Sequence, residues 1–257
     1  MGNQDKRTAK EDGTPVKRSA EPRKKGPRQS LTLFEWLDAW LDRHLDRIFW
    51  IILSLSLLTA ILMFDIRFSV SGDDSAYVIR AHDFVKEFTY PGFQGPLYPF
   101  VLSPMVLLFG VNAIALKSLS ILFLAGFLYF TFRAFRHRIP ATLAMAALLL
   151  ISFNSFILYF ASQTYSEMFF MFLQALMIFT LFTLFPEKGE SKPLSSAWRS
   201  YFLLGLCILA LGLTRSIGFT AAMVGPSFFL LTGSWRDLLL IVAVTLVLIV
   251  AFQGFKY

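Results

Sequence analysis

Long apolar runs broken by short polar turns dominate the chain. No charged residue occurs in 48–64, in 141–161 or in 168–185. Each run is close to the ~20 residues that a helix needs to cross a bilayer. Further apolar stretches at 114–132, 201–213, 217–231 and 238–253 complete a reading of about seven spans. Ahead of the first, residues 31–50 carry a helical stripe of Leu33, Trp36, Leu37, Trp40, Leu41 and Leu45. Glu35, Asp38, Asp42, Arg43 and Asp46 fall off that stripe, so 31–47 is expected to lie as an amphipathic helix on the membrane surface. The apolar stretch at 96–109 is only 14 residues long, which favours an interfacial or re-entrant helix over a span. The expected fold class is an all-α integral membrane protein, a polytopic bundle with an outer juxtamembrane helical loop after span one.

Charge sets the orientation. Positive residues collect on the cytoplasmic side of membrane proteins. Residues 1–30 hold nine lysines and arginines against four acids in a Pro/Gly-rich segment that buries no core, so a disordered cytoplasmic tail is expected there. Residues 65–95 carry five acids against three bases and belong outside. If 96–109 stays on one side, the next span returns Arg133, Arg136 and Arg138 to the cytoplasm. Lys188, Lys192 and Arg199 then follow on that side, and Arg236 after them. The net charge of +7 is thus partitioned by a membrane rather than gathered for nucleic acid.

Composition agrees: hydrophobic residues make up 56% and charged residues 16%, where a soluble domain carries about a quarter charged. The single cysteine, Cys207, lies in an apolar run, and no intrachain disulfide forms. His44, His82 and His137 lack metal-ligand spacing.

Four polar groups fall on the expected outer face. Ser71-Gly72-Asp73-Asp74-Ser75-Ala76-Tyr77 reads as a helix start, with Ser71 and Asp74 spaced as a capping box. It equally places a carboxylate at the membrane surface for use as a general base. Gly95-Pro96-Leu97-Tyr98-Pro99 restricts the backbone and directs the chain back onto the membrane. Ser162-Gln163-Thr164-Tyr165-Ser166-Glu167 joins two spans, where Glu167 either favours the helix dipole or faces a polar cavity. Arg215, within Thr214-Arg215-Ser216, either snorkels to the interface or meets a lipid phosphate, and Lys117 is a weaker candidate of the same kind.

In their order these features resemble the GT-C glycosyltransferases, the group of protein O-mannosyltransferases and lipid A aminoarabinose transferases. The likeness runs through Asp73, Asp74 and Tyr77, then Pro96-Leu97-Tyr98-Pro99, Ser166-Glu167 and Leu213-Thr214-Arg215-Ser216-Ile217-Gly218. It implies an inverting enzyme that moves a sugar from a polyprenyl-phosphate carrier, its lipid-linked donor, to a glycan, lipid or protein acceptor. It also implies a bacterial inner membrane with the site on the periplasmic face. Asp73 or Asp74 would be the base, with Asp73 preferred. Arg215 would meet the leaving phosphate, and Tyr77, Tyr98, Glu167 and Lys117 would line the substrate pocket. No cofactor is required by this chemistry, and a divalent ion beside the acids stays open although no ligand set marks one.

Two departures stand out: Asp-Asp replaces the commoner Asp-Glu, and Gln94-Gly95 precedes the proline segment. Enzymes of this kind continue through further spans, so the chain is expected to be an N-terminal portion. Two other readings remain. A transporter or flippase of lipid-linked sugars would show repeats or broken helices, and a membrane scaffold would not need polar groups gathered on one face.

Overall fold

The structure is a computed structural model and describes residues 32–68, 72–92, 95–184 and 194–256; the side chains of 194–196 and 255–256 are not among those described. The basic tail, Ser71, Gln94, Lys188 and Lys192 therefore lie outside the described residues. Among the described residues every element is helical. The order is α1 (Leu33–Leu62), α2 (Asp73–Glu87), α3 (Leu97–Phe109), α4 (Ala113–Phe135), α5 (Ala141–Ser152) and α6 (Ser155–Ala161). Then follow α7 (Ser166–Leu184), α8 (Leu194–Thr214), a 3-10 turn (Ser216–Thr220), α9 (Ala221–Leu231) and α10 (Trp235–Lys256).

Five of these helices are long and apolar enough to cross a membrane: α1, α4, α7, α8 and α10. A sixth is added if α5 and α6 count as one bent span. The seventh expected span, 217–231, falls short by length even with its opening 3-10 turn counted, since the helical segment runs only from Ser216 to Leu231. Burial runs opposite to that of a water-soluble protein, where the most apolar helix is the most covered. Here α10 has the highest mean hydropathy, 2.4, and only 11% of its apolar window is buried. Leu239, Leu246, Val247 and Val250 stand exposed along it. Such a surface suits lipid and not water.

Three departures from the sequence reading have local causes. The amphipathic segment and the first span form one unbroken 30-residue helix. Thr32 caps it, its hydroxyl accepting from Glu35 N–H while the Glu35 carboxylate accepts from Thr32 N–H. The half of the stripe formed by Leu41 and Leu45 is buried, whereas Leu33, Trp36 and Trp40 are exposed. The expected span at 141–160 is broken: α5 stops at Ser152, and Asn154 caps α6 by accepting from Phe156 and Ile157 N–H. The two helices meet at a bend of 55°. Finally, α2 takes Gly72 as its N-cap, without a side-chain cap bond, and carries Asp73 and Asp74 in its first turn; the capping box read at Ser71 falls outside the described residues.

The path of the chain gives the bundle two distinct ends. Lys117, near the start of α4, bonds the backbone just beyond the end of α1, so α2 and α3 leave and return at one end. The opposite end gathers the start of α1, the end of α4 and the start of α5, joined by bonds from Arg136 to Asp42 and from Thr142 to Asp38. The starts of α8 and α10 are joined by Tyr201 and Asp237. Between the ends the core is aliphatic and aromatic, with Phe49 stacked on Phe132 at 4.2 Å. Midway, Ser56 donates to the Ser152 carbonyl that the bend releases.

Candidate functional site at the α2 end of the bundle

Two glycines shape this end. Gly95 sits at φ +92° with its α-carbon pressed on the last turn of α8, and a Cβ there would overlap the Thr214 carbonyl oxygen. Only glycine accepts both that φ and that approach. The chain entering α3 is thereby held against the residue preceding Arg215. Gly218 has the same role just after Arg215, where a Cβ would overlap the Leu211 carbonyl. The turn closes with Arg215 N–H donating to Leu211 O (3.1 Å) and Gly218 N–H donating to Arg215 O (2.8 Å). The end of α8 thus fixes the backbone of Arg215 and leaves its guanidinium to reach across to α7.

There the guanidinium pairs with the Glu167 carboxylate and lies 3.4 Å from the Ser166 hydroxyl. From the other side Tyr77 reaches the same hydroxyl at 3.1 Å. Burial pushes the pKa of the Tyr77 phenol up, and the Ser166 hydrogen bond and Arg215 charge oppose that without cancelling it. The phenol is therefore neutral across the physiological range. Asp73, Tyr77, Arg215 and Ser216 line a small cavity of about 160 Å³. Asp73 is exposed in the first turn of α2 and has no hydrogen-bonding or ionic partner among the described residues.

The sequence candidates separate here. Asp73, Tyr77, Glu167 and Arg215 come together. Asp74, one residue on, turns inward: it is buried and accepts from Ser75 N–H at 2.7 Å. Tyr98 is fully buried beneath the cavity, edge-on to Tyr77 at 5.1 Å. Its hydroxyl has no hydrogen-bond partner, and the neighbouring Ser120 hydroxyl is committed to Gln163 O. Tyr98 therefore supports Tyr77 from behind and does not line the cavity.

Lys117 is placed differently from expectation too. Its ammonium donates to Asp65 O (2.6 Å), to Arg67 O and to Gln163 Oε1 (2.9 Å). An ammonium has three N–H donors, and all three are spent on the protein. Lys117 ties the end of α1 to the α6–α7 turn and offers nothing to a phosphate. Ser166 and Gln163 lie in the polar stretch that the sequence singles out, but their partners were not read there: Ser166 is the hydroxyl shared by Tyr77 and Arg215, and Gln163 accepts from Lys117 and Ser120. Nothing local in a Ser or Gln of a polar turn says which side chain it will meet.

Two larger grooves of about 340 and 370 Å³ lie along α4, the first against α5 and the second against α7. Thr131, Phe135 and Ile151 line both, and no titratable side chain enters either. Among the described residues no three His, Cys, Asp or Glu side chains gather to hold a metal ion. Comparisons with known proteins return no match: no family model, no curated protein and no solved structure is similar to this chain.

Proposed function

We propose that this chain is a GT-C-like inverting glycosyltransferase that takes sugar from a polyprenyl-phosphate carrier at the outer face of a bacterial inner membrane. The observation that carries the reading is the cavity that joins Asp73, a carboxylate with no partner among the described residues, to a guanidinium, Arg215. Orientation follows from charge. The end that gathers Arg133, Arg136, Arg138, Arg199 and Arg236 faces the cytoplasm, and α2 and α3 form the outer juxtamembrane loop.

In the reaction, Asp73 accepts the proton of an acceptor hydroxyl. The hydroxyl oxygen bonds to C1 of the sugar from the face opposite the phosphate, the C1–O bond breaks, and polyprenyl phosphate leaves. Phosphate departs without needing a proton, so one base is sufficient. The charge that develops on it is met by Arg215, for which the phosphate competes with Glu167. The neutral Tyr77 phenol and the Ser166 hydroxyl hold Arg215 and the sugar side of the cavity in register.

A second reading, a transporter or flippase of lipid-linked sugars, draws on the 55° break between α5 and α6 and on the 3-10 turn before α9. The two separate on bond breaking. Purified chain is given radiolabelled polyprenyl-phosphate sugars, alone and with acceptor, beside Asp73→Asn and Asp74→Asn. A transferase releases or transfers label and loses it in Asp73→Asn. A flippase moves intact lipid between leaflets with label still attached, and no release with any donor sinks the transferase.

A further inference from the structure

A second cleft, of about 280 Å³, opens at the far end of α2 between Arg80, Asp83, Thr89, Tyr90, Pro91 and Gly92. We propose that this cleft binds a neutral sugar unit of the acceptor, one ring removed from the hydroxyl that reacts. Naming it an acceptor site rests on the transferase reading; the binding of sugar does not.

The lining has the chemistry that a sugar ring asks for. A pyranose offers an apolar face of C–H groups and an edge of hydroxyls that both donate and accept. Tyr90 supplies an aromatic wall, and that wall is fixed from behind: its ring lies edge-on to Phe100 at 5.8 Å, and Phe100 is edge-on to Phe84 at 4.6 Å. Arg80 supplies only donors and Asp83 only acceptors, so together they match hydroxyls of either sense. Gly92, beside the Tyr90 ring, adds no side chain to the lining. The volume lies at the lower end of the range for small-ligand sites, about 300 Å³, and suits one ring better than a chain. A lone phosphate or uronate would gain Arg80 and meet Asp83 at once, which favours a neutral ligand.

Placement ties the cleft to the first cavity. Asp73, Tyr77 and Arg80 stand at i, i+4 and i+7 of α2 and so share one helix face. At 1.5 Å per residue the step from Asp73 to Arg80 is about 10 Å. A glycan whose terminal hydroxyl reaches Asp73 would lay its next ring along α2 towards Tyr90. One helix would then carry both the base and the acceptor's footing.

The test is saturation-transfer NMR on the full chain in lipid nanodiscs, free of glycoside detergents. The probes are methyl mannoside, methyl glucoside, methyl galactoside, maltose and, as the anionic comparison, galacturonate. The expected result is saturation of at least one neutral probe, reduced five-fold or more in Tyr90→Ala and in Asp83→Asn and kept in Asp73→Asn. Tyr90→Phe, which keeps the ring, should retain the signal and guards against a folding defect in Tyr90→Ala. No saturation with any neutral probe overturns the proposal, as does a signal indifferent to Tyr90→Ala or stronger for galacturonate. Sugar binding that depends on Tyr90 without any transfer of label would leave this cleft standing and remove the transferase. Transfer of label that is unchanged in Tyr90→Ala would do the reverse.

Discussion

At the end of the bundle where α1 begins, each carboxylate that the fold draws in faces a donor. Asp38 accepts from Thr142 N–H and hydroxyl at 2.8 and 3.0 Å. Arg136, only 7% exposed, spans Asp42 at 2.7 Å and Asp46 at 3.4 Å, and Tyr201 donates to the buried Asp237 at 2.6 Å. At the α2 end the same residue types leave a remainder. Glu167 pairs with Arg215, but Asp73 stands beside them in a cavity with no partner among the described residues. Polar groups that satisfy one another lock helices together and do nothing further. Here a polar group is left over beside a guanidinium whose turn is packed around Gly95 and Gly218, and this remainder is what carries the proposed site. Lys117 shows that the distinction follows bonding and not location, since it lies at the α2 end and is fully spent.

The largest effect that this contrast predicts is at Asp73. Asp73→Asn should lower transfer by about 10²–10⁴-fold, the usual worth of a general base, with the thermal midpoint unmoved. A fall in midpoint with activity kept would make Asp73 a lock rather than a base. Next comes Gly95→Ala, which puts a methyl into the Thr214 carbonyl and forces a left-handed φ on alanine. It should cost more than about 1 kcal/mol of stability and also displace Arg215, so transfer and thermal midpoint drop together. Lys117→Met should destabilise by about 1–3 kcal/mol for each carbonyl it leaves buried and unpaired. In the protein that still folds, it should leave the KM for donor unchanged; a raised KM would return Lys117 to the pocket.

Alkaline pH acts through Tyr77 and Tyr98, which meet edge to face and whose pKa values are both raised by burial. Their phenols are neutral in the folded state while the unfolded chain releases those protons near pH 10. Stability should therefore hold up to about pH 10 and decline above it. Denaturation followed against pH reads this directly, and a loss already complete by pH 8 would contradict it. The smallest effect is expected for Tyr98→Phe. Its hydroxyl has no hydrogen-bond partner among the described residues, so stability should change by less than about 1 kcal/mol and transfer should hardly move. A large loss of transfer would mean that Tyr98 meets the substrate after all.

Much of this was legible in the sequence because lipid and helices impose strong periodic constraints. Apolar length marked α1, α4, α7, α8 and α10. The distribution of arginines led to a paired excursion over α2 and α3, and the chain does return to the end it left. Which polar residues meet was legible only to a degree: Asp73, Tyr77, Glu167 and Arg215 were drawn from one expected face and do converge. What stayed hidden depends on side-chain direction. Asp73 and Asp74 are alike in sequence, yet neighbours on a helix point about 100° apart, so one faces the cavity and the other the core. The break after Ser152 depends on Asn154 capping a new helix within an apolar run, and a single Asn gives no warning of it. The meaning of Gly95 lies in a contact with Thr214, far along the chain, that no local pattern encodes.

The most direct test sets one carboxylate from each end side by side: Asp73→Asn and Asp42→Asn, both assayed for transfer from radiolabelled polyprenyl-phosphate sugar and both melted. If the α2 end is the site and the opposite end a lock, Asp73→Asn abolishes transfer and melts like the parent, whereas Asp42→Asn transfers normally with a slightly lower midpoint. Equal activity in the two variants, or a loss shared by both, would contradict that division.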